Sequence, residues 1–375
     1  MKLAIISHTE HYTTDTGTLV GWGATVNEIN HLLEVFDTIY HVAMLHTDTA
    51  PPSASPYVSD KIVFVPVPTT GGRTLKSKLD TLVKAPTVVK IINSVLKDVD
   101  CFQLRTPTGM GVYLIPYLSW FVKKPGWYKY AGNWSQKQAP LGYALQRWML
   151  KLQGRKVTIN GKWPDQPDHH ISFENPCLTM EDIAIGKRIR SQKKYTGALN
   201  FCFVGRLEEE KGVERIIKAF NGLSEADSLR VGTVHLVGEG TEMPYFKALA
   251  AKGSIKYIFH GALSRMDVFD IYRSCEVFVL PTTASEGFPK VIVEAMNFGC
   301  LPVVSKLSAI GHYIKNDENG FLLDPVTIEN LMGCLQRALY LEPSVYKKML
   351  TTFDTLVLKF TYAHYNEQIK KILSV

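Results

Sequence analysis

The stretch Val277–Ser305, VFVLPTTASEGFPKVIVEAMNFGCLPVVS, decides how the chain is read. Val277–Leu280 is a short apolar run closed by Pro281, the pattern of a strand covered on both faces. A polar loop follows. Pro289 then opens a helix-length segment, at a position in the first turn where a missing N–H costs no hydrogen bond. Leu301–Ser305 is again an apolar run. Strand, loop, helix and strand in this order form a crossover between parallel strands. Glu286 lies in the loop. Glu294 lies about one and a half turns into the helix, at about 3.6 residues per turn.

The same rhythm extends in both directions. KLAIIS, IYHVAML, KIVFVPV and CFQLR read as strands in the first half, and Gly23–Val35, Leu82–Leu96 and Leu141–Leu152 as helices. In the second half LNFCFVGR, VGTVHLVGEG, IKYIFHG and LPVVS are strands, and Arg265–Ser274 and Pro289–Phe298 are helices. Alternation of this kind predicts an α/β fold with two doubly wound, Rossmann-like units. The join falls near Asn175–Tyr195. The expected domains are 1–180, 181–350 and a helical tail, 351–375, packing back across the join. Ligands of such folds bind at the carboxyl ends of the strands, here in a cleft between the units.

A length of 375 residues suits two domains, and 46% hydrophobic with 21% charged residues describes a globular chain with material for two cores. No apolar run approaches the roughly 20 residues that span a bilayer. The opening MKLAIISHTE is too short for a secretory apolar region and reads as a first strand. The six cysteines are scattered without a C-x-x-C pair, which points to a reducing cytoplasm and against metal or disulfide frameworks. The net charge of +7 is uneven: Arg73–Lys162 holds sixteen Lys or Arg against three acids, while 191–375 holds 21 against 20. Aromatics sit among these cations in GWYKYAGNW and LQRWMLKLQGRK. A solvated charged face and a surface that meets anionic lipid or an anionic acceptor both fit. No nucleic-acid motif accompanies the charge, so nucleic acid is not an expected partner.

Three further motifs carry chemistry. In FVGRLEEEKGVERIIKAF, Gly205 ends a strand, Arg206 follows, and Lys211 with Gly212 precedes a helix. This reads as an anion site, with a guanidinium fork and a lysine point charge. It reads equally as a surface loop whose cations pair with Glu208, Glu209 or Glu210. In LVGEGTEM, Gly238 and Gly240 link strand to helix, a weak signal for a nucleotide loop when taken alone. In GTLVGWGATVNEINHLL, Gly21 and Gly23 let backbone approach a phosphate or sugar, or simply open a helix. In the opening stretch the backbone N–H groups of Phe288, Lys290 and Val291 suit an anion or a sugar oxygen. A carboxylate such as Glu294 suits vicinal ribose hydroxyls. Glu286 also fits as a charge at the helix N-terminus, and Glu294 as a surface residue.

Together FVGRLEEEKG, LVGEG, FHGALSRMDVFDIYRSCEVFVLP, ASEGFPKVIVEAMNFGCLPVVS and AIGHYIKNDENGFLLDP resemble the GT-B glycosyltransferases of family GT4. The likeness covers Asn200–Pro325, and Glu286 and Glu294 match the family's E-x7-E signature. The first half is similar only in its Gly-rich loop and its rhythm. The resemblance implies retaining, metal-independent sugar transfer from a nucleotide-sugar, UDP- or GDP-linked, used as co-substrate with no cofactor. It implies a glycan or lipid-linked glycan acceptor, as in capsule, exopolysaccharide or O-antigen synthesis. By the same likeness Arg206, Lys211 and Glu286 are the catalytic positions. Gly23, Gly205, Gly238, Gly240, Gly287, Phe288, Pro289, Lys290 and Glu294 contact the donor. The family's cleft histidine is replaced by Arg105 in CFQLRTPTGMG, which cannot act as a base. Arg105 and His8 are then candidates for acceptor or cleft contact. Another two-domain enzyme of this architecture, such as an epimerase or a phosphorylase, and a non-catalytic sugar-binding protein remain alternatives. The expected location is cytoplasmic, with peripheral contact at the inner face of an anionic membrane.

Overall fold

The computed structural model describes residues 1–72 and 74–373, so the last two residues of the tail expected over 351–375 lie outside the described residues. The chain forms two compact units, Met1–Asn175 with Tyr365–Val375, and Pro176–His364.

The first unit is built from β1 (Lys2–Thr13), β2 (Leu19–Trp22), α1 (Gly23–His31), β3 (Thr38–Leu45), β4 (Ala54–Pro56), β5 (Ile62–Val67), α2 (Leu75–Val83), α3 (Ala85–Asp98), β6 (Cys101–Thr106), α4 (Gly111–Trp120), β7 (Gly126–Tyr130), α5 (Leu141–Leu152), β8 (Val157–Ile159) and β9 (His170–Ser172). Seven strands pair in parallel in the order β5-β3-β1-β6-β7-β8-β9. The short β2 and β4 continue antiparallel from the far end of β1. Helices cover both faces of a parallel sheet, so consecutive residues of a central strand can both be apolar and enter opposite cores. β1 illustrates this. Leu3 and Ile5 enter one core with Phe36 and Trp127, while Ala4 and Ile6 enter the other with Leu104, Leu114 and Leu150.

Three expectations are corrected here. β1 runs on past KLAIIS to Thr13, with a register shift between Ile6 and Glu10. The helix expected over 82–96 is two helices, because Pro86 lacks an N–H to continue α2 and instead starts α3. The helix expected over Gly23–Val35 ends at His31 and tightens into a single 3-10 turn, Leu32–Glu34.

The second unit holds α6 (Met180–Gln192), β10 (Leu199–Val204), α7 (Val213–Asn221), α8 (Glu225–Ser228), β11 (Val231–Val237), α9 (Met243–Ala250), β12 (Lys256–Gly261), α10 (Arg265–Ser274), β13 (Val277–Leu280), α11 (Lys290–Asn297), β14 (Leu301–Ser305), α12 (Ile310–Tyr313), β15 (Phe321–Leu323), α13 (Ile328–Leu339) and α14 (Pro343–Leu358). Its strands are all parallel, in the order β12-β11-β10-β13-β14-β15. The chain therefore builds outward from β10 on one side and from β13 on the other. At such a reversal the loops leaving neighbouring strands diverge, and their carboxyl ends border a crevice. The helices show why the pattern was legible: in α7 the residues Val213, Ile216, Ile217 and Phe220 are buried, at helical spacing. α15 (Tyr362–Leu373) starts in the second unit and ends in the first. There Tyr365 and Ile369 join the core that contains Leu3 and Ile5. Both units are Rossmann-like, the α/β class that the alternation predicts. Among the described residues no helix is long and apolar enough to cross a membrane.

Candidate active site

The strand reversal between β10 and β13 brings together loops that are far apart in sequence. The loop after β10, residues 205–212, is joined to the loop after β11 by two backbone hydrogen bonds. Gly205 donates to the Val237 carbonyl at 3.0 Å, and Leu207 to the Glu239 carbonyl at 2.8 Å. The approach leaves no room for side chains. A Cβ at Gly238, whose φ is +131°, would lie 1.9 Å from the Gly205 carbonyl oxygen, and one at Gly240 would lie 1.9 Å from that of Leu207. Close packing of two loops is thus sufficient reason for both glycines, whatever ligand they meet.

On its other side the 205–212 loop is stapled to the loop after β13. Gly212, at φ +89°, sits where a Cβ would meet the Pro281 carbonyl oxygen at 2.3 Å. Thr283 donates its N–H to the Glu210 carbonyl at 2.8 Å, and the Thr282 hydroxyl donates to the same oxygen at 3.1 Å. Arg215 reaches across from α7 to the carbonyls of Glu209 and Pro281, each at 3.2 Å. The sequence reading missed Arg215, Thr282 and Thr283, because nothing local shows that β13 lies beside β10.

This stapling places two of the named site residues in contact. Lys211 Nζ forms an ion pair with Glu286 Oε1. The lysine side chain is 11% exposed and the glutamate side chain 40% exposed, so the pair opens to solvent on the carboxylate side. The Glu286 carbonyl accepts from the Ser308 hydroxyl, and the Gly287 carbonyl accepts from the Ala309 N–H at 3.3 Å. Both contacts fix the loop that carries the carboxylate. Arg206 is 67% exposed and pairs with Glu208 at 3.0 Å. The surface-loop alternative therefore describes Arg206 in this conformation, whereas Lys211 is drawn to a different loop.

α11 begins at Lys290, not at Pro289. Pro289 is its N-cap in an extended conformation, ψ 115°, and no side chain caps the end. Phe288 turns its ring inward, 4.9 Å from the rings of Tyr313 and Phe360. Its side chain is core, and only its backbone borders the loop. Glu294 sits in the second turn of α11, half-buried. Burial pushes its carboxyl above the ordinary carboxylate range, Arg265 and Lys290 pull it back, and Asp182 adds to the rise. Arg265 is itself held by the Cys177 carbonyl and by Asp182, each at 2.7 Å.

The remaining named residues belong to the first unit. Gly23 opens α1, and its N–H donates to the Ser53 carbonyl at 3.1 Å. That amide is committed, and the close approach of Ser53 and Ser55 explains the glycine. His8 is exposed, within the irregular segment of β1. Arg105 is 11% exposed and donates to Glu28 at 2.8 Å and to Gln103 at 3.0 Å. Lys129, at 2.6 Å, and the Tyr365 hydroxyl, at 2.8 Å, bind the same Glu28 oxygen. Arg105 is thus part of a buried ion cluster. The signal for it was Glu28 itself, which falls on the inward face of α1 with Thr25 and Ile29. Behind it, His11 Nδ1 faces the Thr9 carbonyl at 3.0 Å and so carries the proton. Its Nε2 then accepts from the Tyr57 hydroxyl at 2.7 Å, and the Tyr57 oxygen accepts from His41 Nδ1 at 2.6 Å. Burial holds both histidines below their ordinary pKa, so the chain is built from neutral rings.

Comparison with known proteins adds to this geometry. A model of the family described as glycosyl transferases group 1 matches residues 185–349, the segment with Arg206, Lys211, Glu286 and Glu294. The lipopolysaccharide 1,6-galactosyltransferase of Salmonella typhimurium is 31% identical over 174 residues, 45% of this chain and 47% of that protein. The UDP-Gal:alpha-D-GlcNAc-diphosphoundecaprenol alpha-1,3-galactosyltransferase of Escherichia coli is 26% identical over 147 residues, 36% of this chain and 35% of that protein. The chain spans less than half the length of either relative. Among solved structures, HepE of Anabaena in complex with UDP and glucose aligns over 100% of this chain and 99% of its own, at TM-score 0.68 and 18% identity. That likeness is one of fold, and the fold is the GT-B class expected from the sequence.

Proposed function

We propose that the protein is a retaining, metal-independent glycosyltransferase of the GT4 type. It moves a hexosyl group from a UDP- or GDP-sugar to a glycan or lipid-linked glycan acceptor in bacterial cell-surface polysaccharide synthesis. One observation carries the reading: Lys211 from the loop after β10 and Glu286 from the loop after β13 converge at the strand reversal. A fixed cation beside a solvent-facing carboxylate suits a ligand that is anionic at one end and rich in hydroxyls at the other.

In this account the bond between the sugar C1 and the diphosphate oxygen breaks, and the electron pair leaves with the diphosphate. Arg206 and Lys211 stabilise the charge that grows there. Such electrostatic stabilisation is effective because the groups are already in place when charge develops. The acceptor oxygen bonds to C1 on the face the diphosphate leaves, and its proton passes to the departing phosphate oxygen. Configuration is therefore retained, and no side-chain base is required. Glu286 accepts from sugar hydroxyls and Glu294 from the ribose. Backbone at Gly205, Gly238, Gly240 and 287–290, together with Gly23, contacts the donor, and His8 serves the acceptor. Arg105 acts through the Glu28 cluster that shapes the first unit. The protein works in the cytoplasm, at the inner membrane face.

A thermal-shift screen of UDP-, GDP-, ADP- and CDP-sugars tests the reading. Ligand at about 100 times Kd stabilises the native state by about 2.7 kcal/mol. The expected result is an upward shift with a UDP- or GDP-sugar. No shift with any donor would overturn it.

A further inference from the structure

Four of the large apolar side chains left at the surface fall on one stripe. Leu141, Leu145, Trp148 and Leu152 of α5 are 41–89% exposed. Their spacing of four, three and four residues sets them on one side of a helix. The core takes the other side, where Gln146, Met149 and Leu150 are buried. The helix thus carries an apolar stripe that its own unit does not cover.

The stripe has neighbours of the same kind. Trp120 and Phe121, at the end of α4, are also exposed. α4 packs beside α5, with Gly111 against Gln146 at one end. At the other end Arg155, just past α5, donates to the carbonyls of Val122 and Lys124. The two helices therefore run in the same direction, and Trp120 and Phe121 lie towards the Leu152 end.

Charge decides what suits this face. From Cys101 to Pro164 the sequence contains ten Lys or Arg and no Asp or Glu. Lys151 on α5, and Lys123 and Lys156 in the segments that follow α4 and α5, are exposed. Leu and Trp on one side of a helix with lysines around it is the composition of a helix that lies in a bilayer interface. α2 also exposes Leu79, Leu82 and Val83, but Asp80 lies among them.

We propose that the α4–α5 face docks on an anionic lipid bilayer. The stripe enters the boundary between headgroups and acyl chains, and the three lysines lie over lipid phosphates. This deepens the membrane contact in the reading above by naming the surface, and it rests on none of that reading's chemistry.

The test is sedimentation of the full chain with vesicles, without donor or acceptor. One set is phosphatidylcholine alone, and the other is phosphatidylcholine mixed with phosphatidylglycerol, each at low and high salt. The chain should prefer the anionic vesicles, and salt should weaken the preference. Lys123→Glu/Lys151→Glu/Lys156→Glu should weaken binding about a hundredfold, roughly fivefold per lysine removed. Leu145→Ser/Trp148→Ser/Leu152→Ser should weaken it by about tenfold or more, with an unchanged melting curve. If this variant melts lower, the lysine variant decides. Equal binding to both vesicle types, or unaltered binding by the α5 variant, would overturn the proposal. So would loss of binding on Leu79→Ser/Leu82→Ser of α2 in place of the α5 change. A dimer in vesicle-free solution that the α5 variant dissociates would make the stripe a contact between copies. A failed nucleotide screen with intact vesicle binding would sink the transfer reading and leave this surface standing.

Discussion

At the scale of single residues, the two glutamates of SEGFPKVIVEAM have different surroundings and therefore different chemistry. Glu286 is partly open and paired with Lys211. Glu294 is half-buried, and its carboxyl is raised chiefly by burial. The sign of its pH effect follows. Its contribution to stability is complete below the ordinary carboxylate pKa and is lost as pH rises through the raised value. Ribose hydroxyls donating to the carboxylate favour its ionised form, so they oppose the effect of burial. Donor affinity should accordingly hold above the raised pKa and fall as pH drops through it. Calorimetric Kd values between about pH 4 and pH 7 check this, with Glu294→Gln beside the wild type. The variant should bind more weakly and lose that part of the pH slope. An identical slope in both proteins would remove Glu294 from the ribose. The positions of these acids were legible in the sequence, since loop and helix could be drawn around them. Their environments were not. Lys211 meets Glu286 only because β13 pairs with β10, and Arg265 reaches the neighbourhood of Glu294 from α10.

At the scale of elements, the site depends on how tightly its loops lie against each other. Gly238 is the most demanding position, with φ +131° and a backbone oxygen 1.9 Å from any added Cβ. A backbone carbonyl cannot rotate out of the way as a side chain can. Gly238→Ala should therefore lower stability by about 2 kcal/mol or more and separate the loops after β10 and β11. Gly17→Ala is the matched control, with φ +79° and nothing within 4 Å of the added Cβ. It should cost only the conformational strain, about 1 kcal/mol. Urea denaturation of both variants checks the difference, and equal losses would mean the loop contact is not the reason for the glycine. At this scale the long apolar strands and amphipathic helices were readable from periodicity alone. The short β2 and β4 were not, because three or four residues give too little alternation to register. The break between α2 and α3 is signalled by Pro86 alone, inside a segment whose apolar spacing is helical on both sides. Arg105 read as an open cation, because its partner Glu28 lies 77 residues away in sequence.

At the scale of the molecule, each unit is built on a run of parallel strands with one reversal of strand order, and the family match covers the site-bearing part of the second unit. The first unit supplies the exposed α4–α5 face and a buried cluster around Glu28, closed by Tyr365 from the last helix. The central claim is that the reversal between β10 and β13 holds a nucleoside diphosphate through Arg206 and Lys211. Arg206 is the better probe, because its exposure and its single surface ion pair give it little part in stability. Calorimetric titration of UDP and of GDP into the wild type and Arg206→Ala, with melting curves alongside, tests the claim most directly. The account predicts that one nucleotide binds the wild type. It predicts that the variant binds it about tenfold to a hundredfold more weakly, the weight of a charged hydrogen bond, with melting unchanged. Equal affinity in the two proteins, or no heat of binding with either nucleotide, would contradict it.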